Sequence, residues 1–264
     1  MTSPGTERML DVRGLAKAFG GVKAVDHVDV HVNRGEVVTI IGPNGSGKST
    51  FFNLLTGIYP LDAGTITMDG KPIHGLPAHK IAKAGIARTF QNIRLFTNLT
   101  VLENVMIGTH GMVQASMLET VLGLGSLKQR ENAAKEKAMD VLSIFSKRLF
   151  PRLDHPVFSL SYANRRRVEI ARALATNPKL LLLDEPTAGM NPYETHELAE
   201  NVQEIKARGV TMAIIEHKLD VVNRISDRVM VLDFGKKIAE GSAAEVRNNP
   251  YVIEAYLGRT AASA

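Results

Sequence analysis

Short β-type runs open the chain, Met9 to Val12 and then Ala24 to Val32, where apolar positions alternate with polar ones at the period of a half-buried strand. Asn33-Arg34-Gly35 is a turn signal. The unbroken apolar, β-branched run Val37-Val38-Thr39-Ile40-Ile41 that follows predicts a strand buried on both faces. Thr50 to Leu55 reads as a helix start. Thr65 to Met68 alternates again, Asp69-Gly70 predicts a hairpin turn, and Ile86 to Phe90 predicts another short strand.

The period changes after Gln91. Thr100 and Glu103 form a capping-box pattern, and residues 127–147 place Ala134, Ala138, Val141, Leu142 and Phe145 on one helical face. Residues from about 92 to 160 therefore read as a mostly helical insertion. An α/β pattern resumes with a helix from Arg165 to Asn177, ended by Pro178. Leu180 to Leu183 is a buried strand, and Asn191-Pro192 caps a helix running to about Gly209. A strand over Val210 to Ile215 and a helix over Lys218 to Ile225 come next. Arg228 to Leu232 pairs with Lys236 to Ala239 across Asp233-Phe234-Gly235, and Ser242 with Glu245 caps a final helix. Strands alternating with helices imply an α/β fold, a parallel sheet covered on both faces.

Composition narrows the class. The chain has 264 residues, 44% hydrophobic and 22% charged, ordinary values for one large globular domain. No apolar run is long enough to span a bilayer, and the opening MTSPGTERML lacks a signal-peptide core. Cysteine is absent, which excludes disulfides and thiolate metal sites and fits a cytoplasmic location. The formal net charge is +5, and the one dense basic run is Arg165-Arg166-Arg167. With no aromatics interleaved, that run reads as a solvated helix turn rather than a nucleic-acid surface.

The strongest chemical signal is Gly42-Pro43-Asn44-Gly45-Ser46-Gly47-Lys48-Ser49-Thr50, which fits G-x-x-x-x-G-K-[ST] between a predicted strand and a predicted helix. The glycines let main-chain N–H groups approach a nucleotide's phosphates. Lys48 adds a point charge for the β- and γ-phosphates, Ser49 a hydroxyl for Mg²⁺, and the helix its positive end. Downstream, the apolar strand Leu180 to Leu183 runs into Asp184-Glu185. Alone, such a run is often only a strand meeting a loop. With a phosphate loop upstream, Asp184 is placed to hold Mg²⁺ through water and Glu185 to polarise a water for attack on the γ-phosphate. A guanine-specific N/T-K-x-D motif is missing. Asp233-Phe234-Gly235 spells a kinase motif without its H-R-D companion and reads as a hairpin turn.

Leu160-Ser161-Tyr162-Ala163-Asn164, upstream of Asp184, resembles the "LSGGQ" signature of ATP-binding cassette (ABC) ATPases. Gln91 then stands at that family's Q-loop glutamine, Ala188-Gly189-Met190-Asn191 at its D-loop, His217 at its switch histidine and Phe19 at its adenine-stacking aromatic. Taken alone, Phe19 and His217 also read as ordinary core residues. The motifs keep the family's order across nearly the whole chain. The stretches 87–105, 166–176, 184–192 and 245–258 are most similar to the LivG-type subunit of branched-chain amino acid importers.

The resemblance implies a P-loop NTPase (RecA-like) core at about 1–91 and 165–245, with an N-terminal antiparallel β subdomain. It also implies a helical subdomain at about 92–164 and a C-terminal helix at 246–264. It implies ATP and Mg²⁺ as ligands. Catalysis would fall to Glu185, His217 and Gln91, Mg²⁺ to Ser49, Gln91 and Asp184, and nucleotide contact to Phe19, residues 42–50 and the signature residues Ser161, Tyr162 and Ala163. Two cassettes, identical or different, would sandwich ATP between the phosphate loop of one and the signature loop of the other. The helical subdomain would dock on two permease subunits at the inner face of the membrane, served by an extracytoplasmic binding protein. A urea or short-amide importer is the nearest competing system; a soluble, non-transport ABC ATPase is the rival from another class. Ala163 and Asn164 depart from the signature's Gly and Gln. If position 163 needs a positive φ, its methyl strains the loop and weakens the signature half-site.

Overall fold

The computed structural model describes residues 7–109 and 124–257. A four-stranded antiparallel sheet has the order β2-β1-β4-β5, formed by β1 (Arg8–Phe19), β2 (Val22–Asn33), β4 (Ala63–Met68) and β5 (Lys71–Pro72). A six-stranded sheet has the order β10-β9-β3-β8-β7-β6. Its strands β3 (Val37–Ile41), β6 (Ile86–Arg88), β7 (Leu180–Asp184), β8 (Thr211–Ile215) and β9 (Arg228–Asp233) run parallel, and β10 (Lys236–Gly241) pairs antiparallel with β9. The expected α/β fold, with a parallel core sheet and an N-terminal antiparallel sheet, is the observed one.

The central strands are sealed on both faces, and their side chains alternate between two cores. Leu180 and Leu182 join Ala213 and Ile215 in the core under helix α1 (Lys48–Leu55), where Phe51, Phe52 and Leu55 also meet Val12, Val28 and Ile66 of the antiparallel sheet. Leu181 and Leu183 join Met212 and Ile214 on the opposite face. That second core takes in helices α3 (Val101–Thr109), α4 (Leu124–Ser143), α6 (Tyr162–Ala175) and α7 (Pro192–Ala207). The remaining helices are α2 (Ala78–Ala84), α5 (Ser146–Leu149), α8 (Leu219–Ile225), α9 (Ala243–Arg247) and α10 (Pro250–Leu257). The helical segment after β6 thus shares its apolar interior with α6 and the sheet; residues 110–123, inside the predicted insertion, lie outside the described region. Among the described residues no helix is long and apolar enough to cross a membrane.

Several boundaries differ from expectation. The strand predicted over Ile86 to Phe90 ends at Arg88. The helix predicted from Arg165 begins at Tyr162, because the Ser161 hydroxyl accepts from the Asn164 N–H and caps it. It ends at Ala175, and Asn177 turns left-handed (φ 52°) ahead of Pro178. The C-terminal helix predicted over 246–264 is two helices, with residues 258–264 outside the described region. Asn248 ends α9, and Asn249 Oδ1 caps the Tyr251 N–H of α10. Pro250 cannot continue a helix from the residues before it. The capping boxes at Thr100/Glu103, Asn191/Glu194 and Ser242/Glu245 all form.

The largest reversal concerns Arg165-Arg166-Arg167. Arg166 and Arg167 are 0% and 1% exposed, not solvated. Arg167 meets Glu197 at 3.3 Å, a carboxylate shared with Arg148 at 2.8 Å and Lys147 at 3.0 Å. Burial pulls the Glu197 carboxyl upward, yet the bonds from Arg148 and Lys147 outweigh it and leave the group below its ordinary value. Buried guanidinium groups persist because carboxylates and carbonyls surround them.

Candidate active site

The parallel strands set the geometry. β3, β8, β7 and β6 are neighbours, so the loops after Ile41, Ile215, Asp184 and Arg88 open at one sheet edge, the carboxyl edge where open α/β sheets bind ligands. Those loops carry the phosphate loop, Glu216-His217, Glu185 and Gln91. One pocket of about 280 Å³ is lined by Ala24, residues 44–50, Gln91, Glu185 and His217.

Within the phosphate loop, two glycines are demanded by close backbone approach. A Cβ on Gly42 would stand 2.0 Å from the Leu232 carbonyl oxygen, and one on Gly47 would stand 2.1 Å from that of Ala24. Both have positive φ, 148° and 103°. The loop is also moored from outside: Gly235 donates its N–H to the Ser46 carbonyl and accepts from the Asp26 N–H. The Asp233-Phe234-Gly235 hairpin, with Phe234 and Gly235 at φ 44° and 77°, is therefore a strut for the loop. Lys48 Nζ lies in the nest, 2.8 Å from the carbonyls of both Gly42 and Pro43 and 3.3 Å from Ser46 Oγ. Burial pushes its ammonium below the ordinary lysine value, against the upward pull of Glu185 and Asp184. Ser49 and Thr50 follow Lys48 in the first turn of α1 and line the same pocket.

Glu185 is the convergence point. His217 Nε2 lies 2.8 Å from its Oε1, and Gln91 Nε2 donates to Oε2 at 3.4 Å. Its backbone is left-handed, φ 47°, a strained state for a non-glycine residue, held by its N–H bond to the Ile215 carbonyl. Asp184, beside it, is 5% exposed and paired to Arg88.

The D-loop region is tied to the histidine loop by residues that sequence reading passed over. Buried Glu216 accepts from Thr187 Oγ1 at 2.8 Å and from the His217 N–H at 2.9 Å. Lys218 Nζ donates to the carbonyls of Thr187 and Met190, both at 3.1 Å, and to Thr195 Oγ1 at 2.8 Å. Arg88 was passed over as well. Its link to Asp184 spans 96 positions and carries no local signal.

Asp184, Gly42 and Pro43 are not in this pocket's lining, and neither are two further predicted groups. Phe19, 42% exposed at the end of β1, packs edge-on against Tyr59 at 5.2 Å, with Lys17 Nζ 5.4 Å from its ring. Ser161, Tyr162 and Ala163 open α6 and do not line the pocket. Ser161 and Tyr162 are exposed, whereas Ala163 is 2% exposed within the core. Ala163 has ordinary helical geometry and is not among the residues with positive φ, so the expected strain at 163 is absent. Asn164 is buried too, its Oδ1 accepting from Arg167 at 3.2 Å.

For Mg²⁺, the chain offers one hydroxyl, one amide and one carboxylate, in Ser49, Gln91 and Asp184. No group of three acidic, histidine or cysteine ligands occurs among the described residues. Such a sparse oxygen set suits Mg²⁺, which keeps several waters and takes its other ligands from phosphate. Ser49 and Gln91 line the same pocket as the phosphate loop.

The chain matches the family model described as ABC transporter over residues 25–188. It matches the model described as branched-chain amino acid ATP-binding cassette transporter over residues 236–262. It is 40% identical over 254 residues to the high-affinity branched-chain amino acid transport ATP-binding protein LivG of Salmonella typhimurium, covering 96% of this chain and 99% of that one. It is 41% identical over 251 residues to BraF of Pseudomonas aeruginosa, covering 95% and 98%. Among solved structures, an ABC transporter cassette in its ADP conformation aligns with a TM-score of 0.82 and 37% identity, covering 96% of this chain and all of that one. A dimeric cassette in a post-hydrolysis state with ADP and phosphate aligns at 0.75 and 25% identity, covering 89% and 99%.

Proposed function

Because the chain belongs to the ABC transporter family and is one of its ATP-binding, ATP-hydrolysing subunits, we propose that it powers import of branched-chain amino acids through separate permease subunits. The observation that carries the substrate class is the match of the C-terminal residues 236–262 to the branched-chain cassette model, together with the names of the full-length relatives.

In this reading ATP lies along residues 42–50, its phosphates on the loop's N–H groups and the Lys48 ammonium. Mg²⁺ would be held by Ser49 and Gln91, and by Asp184 through water. When bound, it neutralises charge building on the phosphates. Glu185 accepts the proton of the attacking water. His217, on its Oε1, and Gln91, near its Oε2, orient that carboxylate. Phe19, with Tyr59 beside it, takes the adenine face. Ser161, Tyr162 and the start of α6 close the γ-phosphate cage of a second cassette, a copy or a related chain. Their place outside the pocket supports such a shared site.

The helical region and the loop after Gln91 meet the permease. Beside them lies a groove of about 470 Å³ lined by Ile58, Ile81, Phe90, Ile107 and Ala173. The assembly sits at the inner face of the membrane, served by an extracytoplasmic binding protein. The test is uptake by source cells lacking this chain. Leucine, isoleucine and valine uptake should fall and return with the wild-type chain but not with Glu185→Gln. Loss of urea or short-amide uptake with normal leucine uptake overturns the substrate assignment.

A further inference from the structure

Three side chains at i, i+3 and i+6 on one face of α6 grip the loop that carries Gln91, and they grip it by its main chain. Arg166 Nη1 donates to the Phe90 carbonyl at 2.5 Å, and Arg166 Nη2 to the Gln91 carbonyl at 2.6 Å. Glu169 Oε1 accepts the N–H groups of Phe90 at 3.5 Å and Arg94 at 3.2 Å. Arg172 Nη2 donates to the Arg94 carbonyl. Arg166 and Glu169 are themselves paired at 2.7 Å, with side chains 0% and 3% exposed. Arg166 Nη2 reaches the Tyr162 hydroxyl at 3.0 Å as well, so one guanidinium touches both the Gln91 loop and the start of α6.

We propose that Arg166, Glu169 and Arg172 are positioning residues that make the Gln91 loop and the Ser161–Tyr162 end of α6 one rigid body. A change at Gln91 then re-aims the loop offered to the second cassette. This rests on the roles proposed for Gln91 and Ser161. Its physical basis is that main-chain bonds to a buried, mutually neutralised ion pair leave the loop no way to slide past the helix without exposing charge in the core. Only a guanidinium spans both carbonyls and the tyrosine hydroxyl. A lysine ammonium keeps the charge and loses the fork.

The chain contains no cysteine, so introduced thiols label without background. Asn92→Cys reports the loop, Ser159→Cys the residues just before α6, and Asn223→Cys on α8 the sheet; all three positions are exposed. Pairwise spin-label distances are measured on the full chain in a Glu185→Gln background, with and without Mg-ATP. The 92–223 and 159–223 distances should shift together, by about 2 Å or more, while the 92–159 distance stays constant. Adding Arg166→Lys should leave the 92–223 shift and remove the 159–223 shift, with fluorescent-ATP affinity unchanged. The proposal is overturned if the 159–223 shift survives Arg166→Lys, if the two parent shifts are independent, or if neither label moves. Should Arg166→Lys fail to fold, Arg172→Gln carries the test, since it removes the bond to the Arg94 carbonyl and the contact with the Phe96 ring of the same loop while leaving the Arg166–Glu169 pair in place: a smaller 159–223 shift supports the clamp and an unchanged one refutes it. A separate ATPase assay of Gln91→Ala tests the role of Gln91 itself. Full activity there refutes that role and leaves the distance result to judge the clamp alone.

Discussion

Arg88 Nη2 donates to Asp184 Oδ2 at 2.9 Å, in a pair whose side chains are 6% and 5% exposed. The same guanidinium donates to Asn53 Oδ1 at 2.7 Å and Thr56 Oγ1 at 3.2 Å, which joins the acid at the end of β7 to the C-terminal half of α1. Arg88→Met strands a buried carboxylate. It should lower stability by about 3 kcal/mol or more and the melting temperature by roughly 6–12 °C. The double variant with Asp184→Asn should recover part of the loss. Calorimetric melting decides, and an unchanged transition would rule out the pair as a support of the site.

Glu185→Gln should keep ATP affinity and lose turnover by about 10²- to 10⁴-fold, the range for removal of a general base. His217→Ala should also slow turnover, because it frees one oxygen of the carboxylate it orients. Phosphate release and nucleotide titration separate the two effects. Normal turnover by Glu185→Gln would remove it from the base role.

Lys48→Met should weaken ATP binding by about 100-fold or more, since two charge-assisted hydrogen bonds at about 1.5–3 kcal/mol each are lost. Its stability effect has the opposite sign. Burial holds Lys48 below its ordinary value in the folded chain, so the unfolded chain binds the extra proton. Stability at this group therefore rises with pH between the folded and unfolded values. The variant should gain on the wild type at neutral pH, and that gain should shrink as alkaline pH is approached. Denaturant titrations across that range would show it; a gap that widens with pH would contradict the burial argument.

Ala163→Gly should destabilise by about 1 kcal/mol, through the loss of a buried methyl and a freer helix backbone. It should not raise ATPase activity, since position 163 carries no positive φ for glycine to relieve. An activity gain in the assembled transporter would restore the idea of a weakened signature loop.

Glu103 and Glu245 close capping boxes, and bonds from Thr100 and Ser242 hold both carboxyls below the ordinary glutamate value. Their folded values are depressed. The stabilisation is therefore complete above the ordinary value and is lost as pH falls from there through the folded values. Thr100→Ala with Ser242→Ala removes the hydroxyl bonds and keeps the larger ones from the backbone N–H groups, so it should flatten this acid limb in part in urea titrations, leaving a somewhat smaller stability loss on acidification than in the parent.

Much of this arrangement was legible because it is local. The phosphate loop needs nine consecutive residues, and the strand pattern alone puts the loops after β3, β6, β7 and β8 at one edge. Helix ends were read well wherever a capping box marked them. What escaped reading depends on which distant group a side chain meets. Arg166 and Arg167 looked solvated because a helix turn of arginines gives no hint that carbonyls 75 positions away and Glu197, 30 away, will bury them. Ala163 looked strained because a resemblance in sequence says nothing of φ. Lys218 and Glu216 carry no motif, and their partners in 187–195 are set only when β7 and β8 pair.

Every bond that α6 makes to residues 90–94 through Arg166, Glu169 and Arg172 ends on a main-chain atom. Such a grip is blind to side-chain identity. Asn92 and Ile93 can be exchanged without breaking it, so this stretch is a replaceable part on a fixed mount. Drift, or an engineer, can rewrite those few residues while the chemistry stays where it is.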